Sequence, residues 1–259
     1  MLNSVGYLTH ATVVATDGEI GPIKQVFFDD QRWVIRYLVV DTGSWLSGRE
    51  VLISPYAIAP PLGGGERVDV LLTREQVRTS PDIDTHQPVS RRREQDYLRH
   101  YAYPDYWSGG GLWAMGELPM LPSIQMPLPT DGQIDADAKS RADQASAQDA
   151  HLRSSAAVSR YRIEATDGSI GHVEDFIFDA DSWAVRYLLV DTRNWWPGGR
   201  KVLIAVSWID RIEWADEAVY VTLTREQVKD SPAYTEGLPI QRDYEQRLHQ
   251  SYNRVGYWP

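Results

Sequence analysis

The sequence predicts a mainly β protein that contains the same domain twice, each copy followed by short helices. The first observation is an internal repeat, because residues 16–42 recur as residues 166–192 with 14 of 27 positions identical. The second is a series of short apolar segments with the two-residue periodicity of β-strands. The third is an Asp-Gly pair at the same point of each copy, a dipeptide typical of β-hairpin turns.

The repeat extends well beyond that segment. After one inserted residue in the second copy, REVLI at 49–53 matches RKVLI at 200–204, and VDVLLTREQVRTSP matches VYVTLTREQVKDSP. A repeat of about 100 residues has the size of a whole domain and is too long for a solenoid unit. The sequence therefore predicts a first domain at 1–106, a linker at 107–155 and a second domain at 156–259.

The linker is predicted from its composition. Its first part is rich in Gly and Pro, and its second part is rich in Ala, Asp, Gln and Ser. Such compositions are typical of extended or solvated segments. Apolar residues recur between positions 118 and 128, so we expect the first part of the linker to lie against a folded domain.

Two patterns predict the strands and the turns between them. The run WVIRYLVVD at 33–41 has apolar side chains on both faces, with Arg36 as the only charge among them. It predicts a central strand that is covered on both sides. The Asp-Gly pairs at 17–18 and 167–168 predict hairpin turns, because Asp tolerates positive φ and Gly favours it.

Two helices are predicted in each copy. The T-x-x-Q spacing of a capping box occurs at 73–76 and again at 224–227, so a short helix begins at each position. A second helix is predicted at 90–101 and at 241–252. Apolar side chains at four-residue spacing give these helices a stripe that can dock on a sheet: Tyr97, Tyr101, Tyr244, Leu248 and Tyr252.

Composition excludes several classes of function. The chain has 36 acidic and 26 basic side chains, and its formal charge of −10 disfavours binding to phosphate backbones, so we expect no nucleic acid partner. The absence of cysteine excludes disulfides and thiolate nucleophiles. No signal peptide or membrane-spanning apolar stretch is present in the sequence. We therefore expect a soluble, cytoplasmic protein with no membrane insertion.

No catalytic signature occurs in the sequence. It contains no G-x-S-x-G elbow, no P-loop and no dinucleotide fingerprint, and the six histidines have no ligand spacing. The clustered aspartates fit ordinary turn chemistry, with a hard cation as the alternative. We therefore expect no catalytic residue, no metal, no cofactor and no enzymatic activity.

The combined motifs resemble the PRC-barrel family in both copies. They are the D-G-x-I-G turn, the F-x-x-D and R-Y-L-x-V-D-T runs, and the segments DTRNWWPG and LTREQV. The resemblance implies two tandem small PRC-type β-barrels, each followed by short helices. Similar modules form the cytoplasmic domain of the photosynthetic reaction centre H subunit and the C-terminal domain of the ribosome maturation factor. In that family the barrel is an interaction module without chemistry of its own.

Matched residues of the two copies are predicted to have structural roles. For the mid-strand arginines, burial requires a carboxylate partner. We predict an internal ion pair of Arg36 with Asp29 or Asp41, and an equivalent pair for Arg186, with anion binding as the alternative. The full set of predicted structural residues is Asp17, Gly18, Gly21, Arg36, Asp41, Asp167, Gly168, Gly171, Arg186 and Asp191.

The loop DTRNWWPGGR at 191–200 is the predicted partner-binding site, because interface hot spots favour Trp and Arg. Leu46 stands where the second copy has Trp196, so Trp196 is predicted to reach an exposed face. Trp195 is matched by Trp45 and is predicted to pack inward. The alternative is a loop that only closes the end of a barrel. The candidate partner-binding residues are Arg193, Trp195, Trp196 and Trp45.

The sequence thus predicts a non-enzymatic interaction or scaffold protein built from two PRC-type barrels that pair within the chain. A protein partner is expected, and a homodimer is an open alternative. The alternative functions are an accessory factor of a photosynthetic or ribosomal complex, and a protein that binds a small ligand or a metal.

Overall fold

The computed structural model describes residues 1–60, 62, 66–82, 89, 91–106, 151–193, 195 and 197–258. The chain forms two units, which we name after the repeat that supplies most of each. The first-copy unit comprises Thr9–Ser154 and Asp181–Trp183. The second-copy unit comprises Met1–Leu8, Ser155–Ala180 and Ala184–Pro259.

The units differ from the predicted domains at their edges and at one internal segment, because Asp181–Trp183 belongs to the first-copy unit. Residues 1–8 belong to the second-copy unit, although the repeat places them in the first domain. The predicted linker at 107–155 ends in a strand at Leu152–Ser154, which pairs within the first-copy unit. The rest of that linker, residues 107–150, lies outside the described residues. Backbone hydrogen bonds at the sheet edges cause this difference, and a repeat in the sequence does not encode them.

Short strands dominate the described part of the chain. The strands are β1 Leu2–Ser4, β2 Thr12–Ala15, β3 Gly18–Asp29, β4 Val34–Asp41, β5 Glu50–Ile53, β6 Arg67–Asp69, β7 Leu152–Ser154, β8 Arg162–Ala165, β9 Gly168–Asp179, β10 Val185–Asp191, β11 Lys201–Ala205, β12 Ile209–Glu213 and β13 Ala218–Val221. The α-helices are α1 Val5–Leu8, α2 Arg74–Arg78, α3 Arg91–His100, α4 Ser155–Val158, α5 Arg225–Asp230 and α6 Arg242–Ser251.

Each unit is built on one sheet, and the two sheets share the order of five strands, to which the second-copy sheet adds β12. In the described first-copy unit the order is β5-β4-β3-β2-β6, with β7 paired to β3. In the described second-copy unit it is β11-β10-β9-β8-β13-β12, with β1 paired to β9. The strands pair antiparallel except for β2 with β6 and β8 with β13. The protein is therefore mainly β, with two sheets and a few helices.

Strand β4 confirms the predicted central strand. It lies between β3 and β5, and its residues from Val34 to Val40 are all buried. It begins one residue later than the apolar run, because Trp33 adopts a φ of 54°. The Trp33 ring instead stacks on Phe28, with ring centroids 5.4 Å apart.

The predicted hairpin between β2 and β3 is present, but it is shifted by one residue. Ala15 pairs with Gly18, so the two loop residues are Thr16 and Asp17. Gly18 has a φ of 148°, whereas Asp17 is not among the residues with positive φ.

The aspartate of each turn caps a helix and does not adopt the positive φ that the Asp-Gly pair predicts. The Asp17 carboxylate accepts a hydrogen bond of 2.8 Å from the backbone N–H of Arg74, at the start of α2. Asp167 accepts the same bond at 2.8 Å from the backbone N–H of Arg225, at the start of α5. Each turn therefore caps the helix that follows the sheet, which explains why each copy contains the motif.

The last glycine of the motif permits a close backbone approach. Gly21 has a φ of 150°, and a Cβ atom there would lie 1.8 Å from the backbone oxygen of Asp41. At Gly171 the same atom would lie 2.1 Å from the backbone oxygen of Asp191. No side chain fits at either position, so only glycine lets the hairpin strand cross the end of the central strand.

The helices follow the predicted signals. Both capping boxes are confirmed, with Thr73 and Gln76 at α2 and Thr224 and Gln227 at α5. Helices α3 and α6 occupy the predicted positions and are shorter at both ends. Among the described residues, no helix has both the length and the apolar character needed to cross a membrane.

The glycine contact yields a stability prediction for Gly21→Ala. The added methyl group must displace the Asp41 backbone and also strains a positive φ, so we expect a loss of roughly 3 kcal/mol or more in the free energy of unfolding. Gly43→Ala is the matched control, because Gly43 has a φ of 56° but open space around it; its expected loss is about 1–2 kcal/mol. Urea denaturation of the full chain measures both, and equal losses would contradict the close approach.

Candidate functional site

The candidate loop follows strand β10 in the second-copy unit. Asp191 ends the strand and is 6 % exposed, and its Oδ1 accepts the backbone N–H of Arg193 at 2.9 Å. The Arg193 guanidinium donates to both carboxylate oxygens, from Nε at 3.0 Å and from Nη2 at 2.5 Å. Hydrogen bonds from this guanidinium lower the pKa of Asp191 to about 2. Arg193 is therefore held in one orientation while its side chain stays 58 % exposed.

The ends of this loop are closed by hydrogen bonds. The Thr192 hydroxyl donates to the backbone oxygen of Arg200 at 2.6 Å and accepts the Arg200 N–H at 2.8 Å. A Cβ atom at Gly199 would lie 2.2 Å from the Thr192 oxygen, so this approach also requires glycine. The loop is thus anchored at its base, and Trp195 is 36 % exposed at its tip.

The matching loop of the first-copy unit holds its tryptophan differently. Trp45 lies in a 3₁₀ turn at Gly43–Leu46 and is half-buried. Its Nε1–H donates to the backbone oxygen of Ile20 at 2.6 Å, and the Arg74 guanidinium lies 4.3 Å from its ring centroid. Trp45 is therefore docked on its own unit. The sequence predicts inward packing for the matched Trp195, whereas Trp45 is one of the candidate partner-binding residues.

For Trp195 the prediction of inward packing is wrong. Its exposed fraction places it among the exposed large apolar side chains, even though it matches Trp45 in the sequence. The loop of the second copy is one residue longer, so the two tryptophans are not held in the same way. Trp196 lies outside the described residues.

Asp41, at the end of β4, holds the matching loop of the first-copy unit. Asp41 accepts the backbone N–H of Gly43 at 2.8 Å, and Lys24 lies 3.3 Å from its Oδ2. The hydrogen bond from Gly43 is the main cause of a lowered Asp41 pKa. In both units this aspartate fixes the loop that follows the central strand.

Arg36 is placed as an internal ion pair. It is 1 % exposed, and its Nη2 donates to Asp29 Oδ2 at 3.0 Å. Its guanidinium also lies 3.9 Å from the ring centroid of Tyr106. The matched Arg186 lies 4.3 Å from the ring centroid of Tyr257. Arg186 is half-buried, whereas Arg36 is buried, and each of the two arginines is covered by a tyrosine from the tail that follows the second helix.

Sequence reasoning missed a buried carboxylate on the second helix of each copy. In the first-copy unit, Glu94 is 2 % exposed. Its Oε1 accepts hydrogen bonds from the Tyr106 hydroxyl at 2.7 Å and the Tyr37 hydroxyl at 3.2 Å. Arg91 lies 3.3 Å from its Oε2 and also donates to the Tyr106 hydroxyl at 2.9 Å. The tail, the helix and the sheet thus meet at one carboxylate.

The second-copy unit repeats this cluster around Glu245. The hydroxyls of Tyr257 and Tyr187 each donate to Glu245 Oε1 at 2.8 Å. Arg242 lies 3.0 Å from Oε2. The signal for this cluster was available in the sequence, because Arg91, Glu94 and Tyr106 recur at identical spacing. The apolar stripe is the more prominent pattern of these helices, and it obscures the recurring polar residues.

The second-copy cluster includes a histidine that the first-copy cluster lacks. His249 stands where the first copy has Leu98, and it is 3 % exposed. Its Nδ1 lies 3.0 Å from the backbone oxygen of Val255, and its Nε2 lies 3.1 Å from the Tyr187 hydroxyl. Since a carbonyl oxygen only accepts, Nδ1 carries the ring proton. The single Tyr187 proton then has two acceptors, Glu245 and the neutral His249.

Burial shifts the pKa values of these groups in opposite directions. Desolvation raises the pKa of Glu94 to about 7, although hydrogen bonds from Tyr106 and the charge of Arg91 oppose the shift. Desolvation lowers the pKa of His249 below its usual value of 6.5, against the hydrogen bond to Val255 and the charge of Glu245. Each shift favours the neutral form, as burial in an apolar environment requires.

A separate cavity of about 280 Å³ lies beside the start of α6. Tyr234 and Tyr244 line it together with the exposed Leu238, and an ion pair of Arg247 with Asp243 at 3.5 Å stands at its edge. It combines aromatic, apolar and charged side chains on one unit. Within the described residues, no group of three or more His, Asp or Glu side chains is placed to hold a metal ion.

Comparisons with known proteins add no family assignment. Neither a scan against models of protein families nor a search of curated proteins found a match to this chain.

The raised pKa of Glu94 predicts a pH-dependent stability. Between pH 4.5 and about pH 7 the folded chain binds a proton that the unfolded chain releases, so the free energy of unfolding falls as the pH rises through that window. Glu94→Gln is expected to flatten this slope in chemical denaturation. Glu75→Gln is the control, because Glu75 is exposed and its pKa is lowered, so its titration lies below the window. An unchanged slope in Glu94→Gln would contradict the buried carboxylate.

His249 predicts the opposite pH dependence of the free energy of unfolding. Its pKa is lowered on folding, so the unfolded chain binds the proton more readily and the free energy of unfolding falls as the pH drops below 6.5. His249→Leu, which installs the side chain of Leu98, is expected to remove this acid sensitivity. Hydrogen exchange of peptides from α6 between pH 5 and 8 measures it in the second-copy unit. A variant as acid-sensitive as the natural chain would show that His249 is not the group responsible.

Proposed function

We propose that this protein is a non-enzymatic interaction protein built from two PRC-type barrels, and that the loop at 191–200 contacts a protein partner. The observation that carries the proposal is the exposed Trp195 beside the immobilised Arg193. The same loop in the first-copy unit keeps its tryptophan docked. Of the two equivalent loops, the second-copy loop thus exposes its tryptophan, whereas the first-copy loop keeps Trp45 half-buried.

The physical properties of the loop suit an interface anchor. Trp and Arg are the residues that most often contribute the largest share of binding energy. The Asp191 carboxylate already fixes the Arg193 guanidinium, so little side-chain entropy remains to be lost on binding. Because Asp191 already pairs with the guanidinium, a partner would contact its flat, polarisable face and not an unpaired charge. We infer a partner surface with an apolar or aromatic pocket for the indole ring.

The assignment to PRC-type barrels is supported by the repeated strand order and by the sequence motifs of both copies. The two units share five strands in the same order, with an Asp-Gly hairpin, a central strand and a capped helix in equivalent places. A duplicated module of this kind suits a scaffold, since two similar units can present different loops. The lack of cysteine fits a reducing compartment such as the cytoplasm.

The non-enzymatic part of the proposal is supported by the burial of the shifted groups. Glu94 is 2 % exposed and His249 is 3 % exposed, so a substrate cannot reach either group as placed. Their partners are internal tyrosines and arginines, which satisfy them within the fold. Such a network stabilises the structure and has no open position for a reacting atom.

A photo-crosslinking amino acid at position 195 tests the proposed site in the full chain. We expect it to capture one protein in cells, whereas the same probe at Leu238, another exposed apolar position of this unit, captures it at least tenfold less. Captured ribosomal or photosynthetic proteins would assign the partner class.

Trp195→Ala provides the second measurement. We expect it to abolish co-purification of that partner and to cost less than about 2 kcal/mol of stability, because the ring is partly exposed. Trp45→Ala, the matched control, is expected to lower stability more and to retain the partner. If Trp195→Ala retains every partner of the natural chain, the loop is only a structural closure of the unit.

A further inference from the structure

Strand β9 has β10 on one side, and on its other side β8 pairs only with Gly168–His172, which leaves an open edge at Ile177–Asp179. Residues 2–4 fill this β9 edge. Leu2–Ser4 pairs antiparallel with β9 in the register Leu2 to Asp179, Asn3 to Phe178 and Ser4 to Ile177. The helix that follows buries Val5 and Leu8 in the same unit, at 3 % and 1 % exposure. Residues 1–8 therefore bind the second-copy unit in two ways. Strand β1 pairs with β9, and helix α1 buries two apolar side chains.

One side chain of this unit recognises the segment specifically. Asp175 accepts the backbone N–H of Gly6 with both carboxylate oxygens, each at 3.0 Å. A Cβ atom at Gly6 would lie 2.8 Å from Asp175 Oδ2. A side chain at this position would require the carboxylate to shift, so Asp175 as placed favours glycine.

The first-copy unit receives a different segment by different contacts. Leu152–Ser154 pairs antiparallel with β3. The Arg153 Nε donates to Asp30 Oδ2 at 2.8 Å, and the Ser154 hydroxyl bonds to Gln25. These contacts have no equivalent at the other edge, because the matched positions there are Asn3 for Arg153, Ala180 for Asp30 and Asp175 for Gln25.

Each of the two edges therefore favours its own segment. If residues 151–158 entered the second-copy edge, Arg153 would lose its carboxylate and stand near Ala180. Ala156 would bring a methyl group to the position where Gly6 contacts Asp175. Backbone pairing is the same for either segment, so these side chains decide which segment binds which sheet.

We propose that the β9 edge is a strand-recognition site that also accepts residues 1–8 from a second copy of this chain, so that two molecules exchange these segments. The contacts are identical whether the segment comes from the same chain or from another. Only Thr9 and His10 separate the helical turn from Ala11, whose backbone oxygen bonds to Ile23 within the first-copy unit. Exchange thus requires rearrangement of this short hinge and creates no new interface.

The protein concentration during folding decides whether residues 1–8 bind within their own chain or in a second copy. Within one chain the segment has a high effective concentration, so the monomer is expected in dilute solution. Exchange is expected when the chain refolds at high concentration. This proposal is independent of the partner-binding loop, because none of its residues belongs to 191–200.

The cysteine-free chain permits a direct test by disulfide trapping. Paired residues of antiparallel strands have Cα atoms roughly 4.5–5.5 Å apart, which suits a disulfide. We would prepare isotopically heavy Leu2→Cys and light Asp179→Cys, refold them together at high concentration and oxidise them. A bond between positions 2 and 179 joins heavy to light chains only if the segment has been exchanged. Leu2→Cys with the exposed Leu238→Cys is the control pair.

The expected result is a heavy-to-light bond at least tenfold more abundant with Asp179→Cys than with Leu238→Cys. Its yield should fall when the mixture is refolded in dilute solution. A bond between positions 2 and 179 that never exceeds the control pair at any concentration would overturn the exchange.

A second arm tests recognition without refolding the chain. Full-length Asp179→Cys is incubated with a peptide of residues 1–10 carrying Leu2→Cys, or with a peptide of residues 151–160 carrying Leu152→Cys. We expect at least tenfold greater capture of the first peptide, and loss of that preference when it also carries Gly6→Val. Equal capture of all three peptides would overturn the selectivity assigned to Asp175.

Discussion

A buried carboxylate holds each unit together. Removing a carboxylate from water costs several kcal/mol, so Glu94 and Glu245 must be surrounded by donors. Those donors come from the central strand, from the helix itself and from the tail that follows it. None of these elements can satisfy the carboxylate alone, so the sheet, the helix and the tail become ordered together. The tyrosine of the tail also covers the mid-strand arginine, which links a second charge to the same arrangement.

The duplication separates what the fold requires from what each copy has added. The capped turn, the glycine at the close backbone approach and the buried carboxylate occur in both units. The tryptophan loop and the position of His249 differ between them. A feature that one copy lacks cannot be needed for folding in general. Such differences are therefore the places where a function of one unit can arise without loss of the other.

The sheet edges show how side chains select among equivalent backbones. Any extended segment can form the backbone hydrogen bonds of β9 or β3. The carboxylate of Asp175 and the pairing of Arg153 with Asp30 distinguish the two segments that bind there. Because residues 1–8 join the second-copy unit and Leu152–Ser154 joins the first-copy unit, the structural units cross the repeat boundaries. The fold of each unit therefore depends on residues that are remote in the sequence.

The sequence by itself determined the elements that depend on local chemistry. The repeat, the apolar run of the central strand, the capping boxes and the hairpin turns were all predictable, because each depends on residues close together in the chain. The tertiary structure alone decided the contacts between distant residues. It placed Asp17 at a helix start, buried Glu94 under Tyr106 and left Trp195 more exposed than its match with Trp45 predicted. It also assigned residues 1–8 to the second-copy unit. Backbone pairing and desolvation decide these arrangements through space, and a local pattern carries no information about which distant group will be the partner.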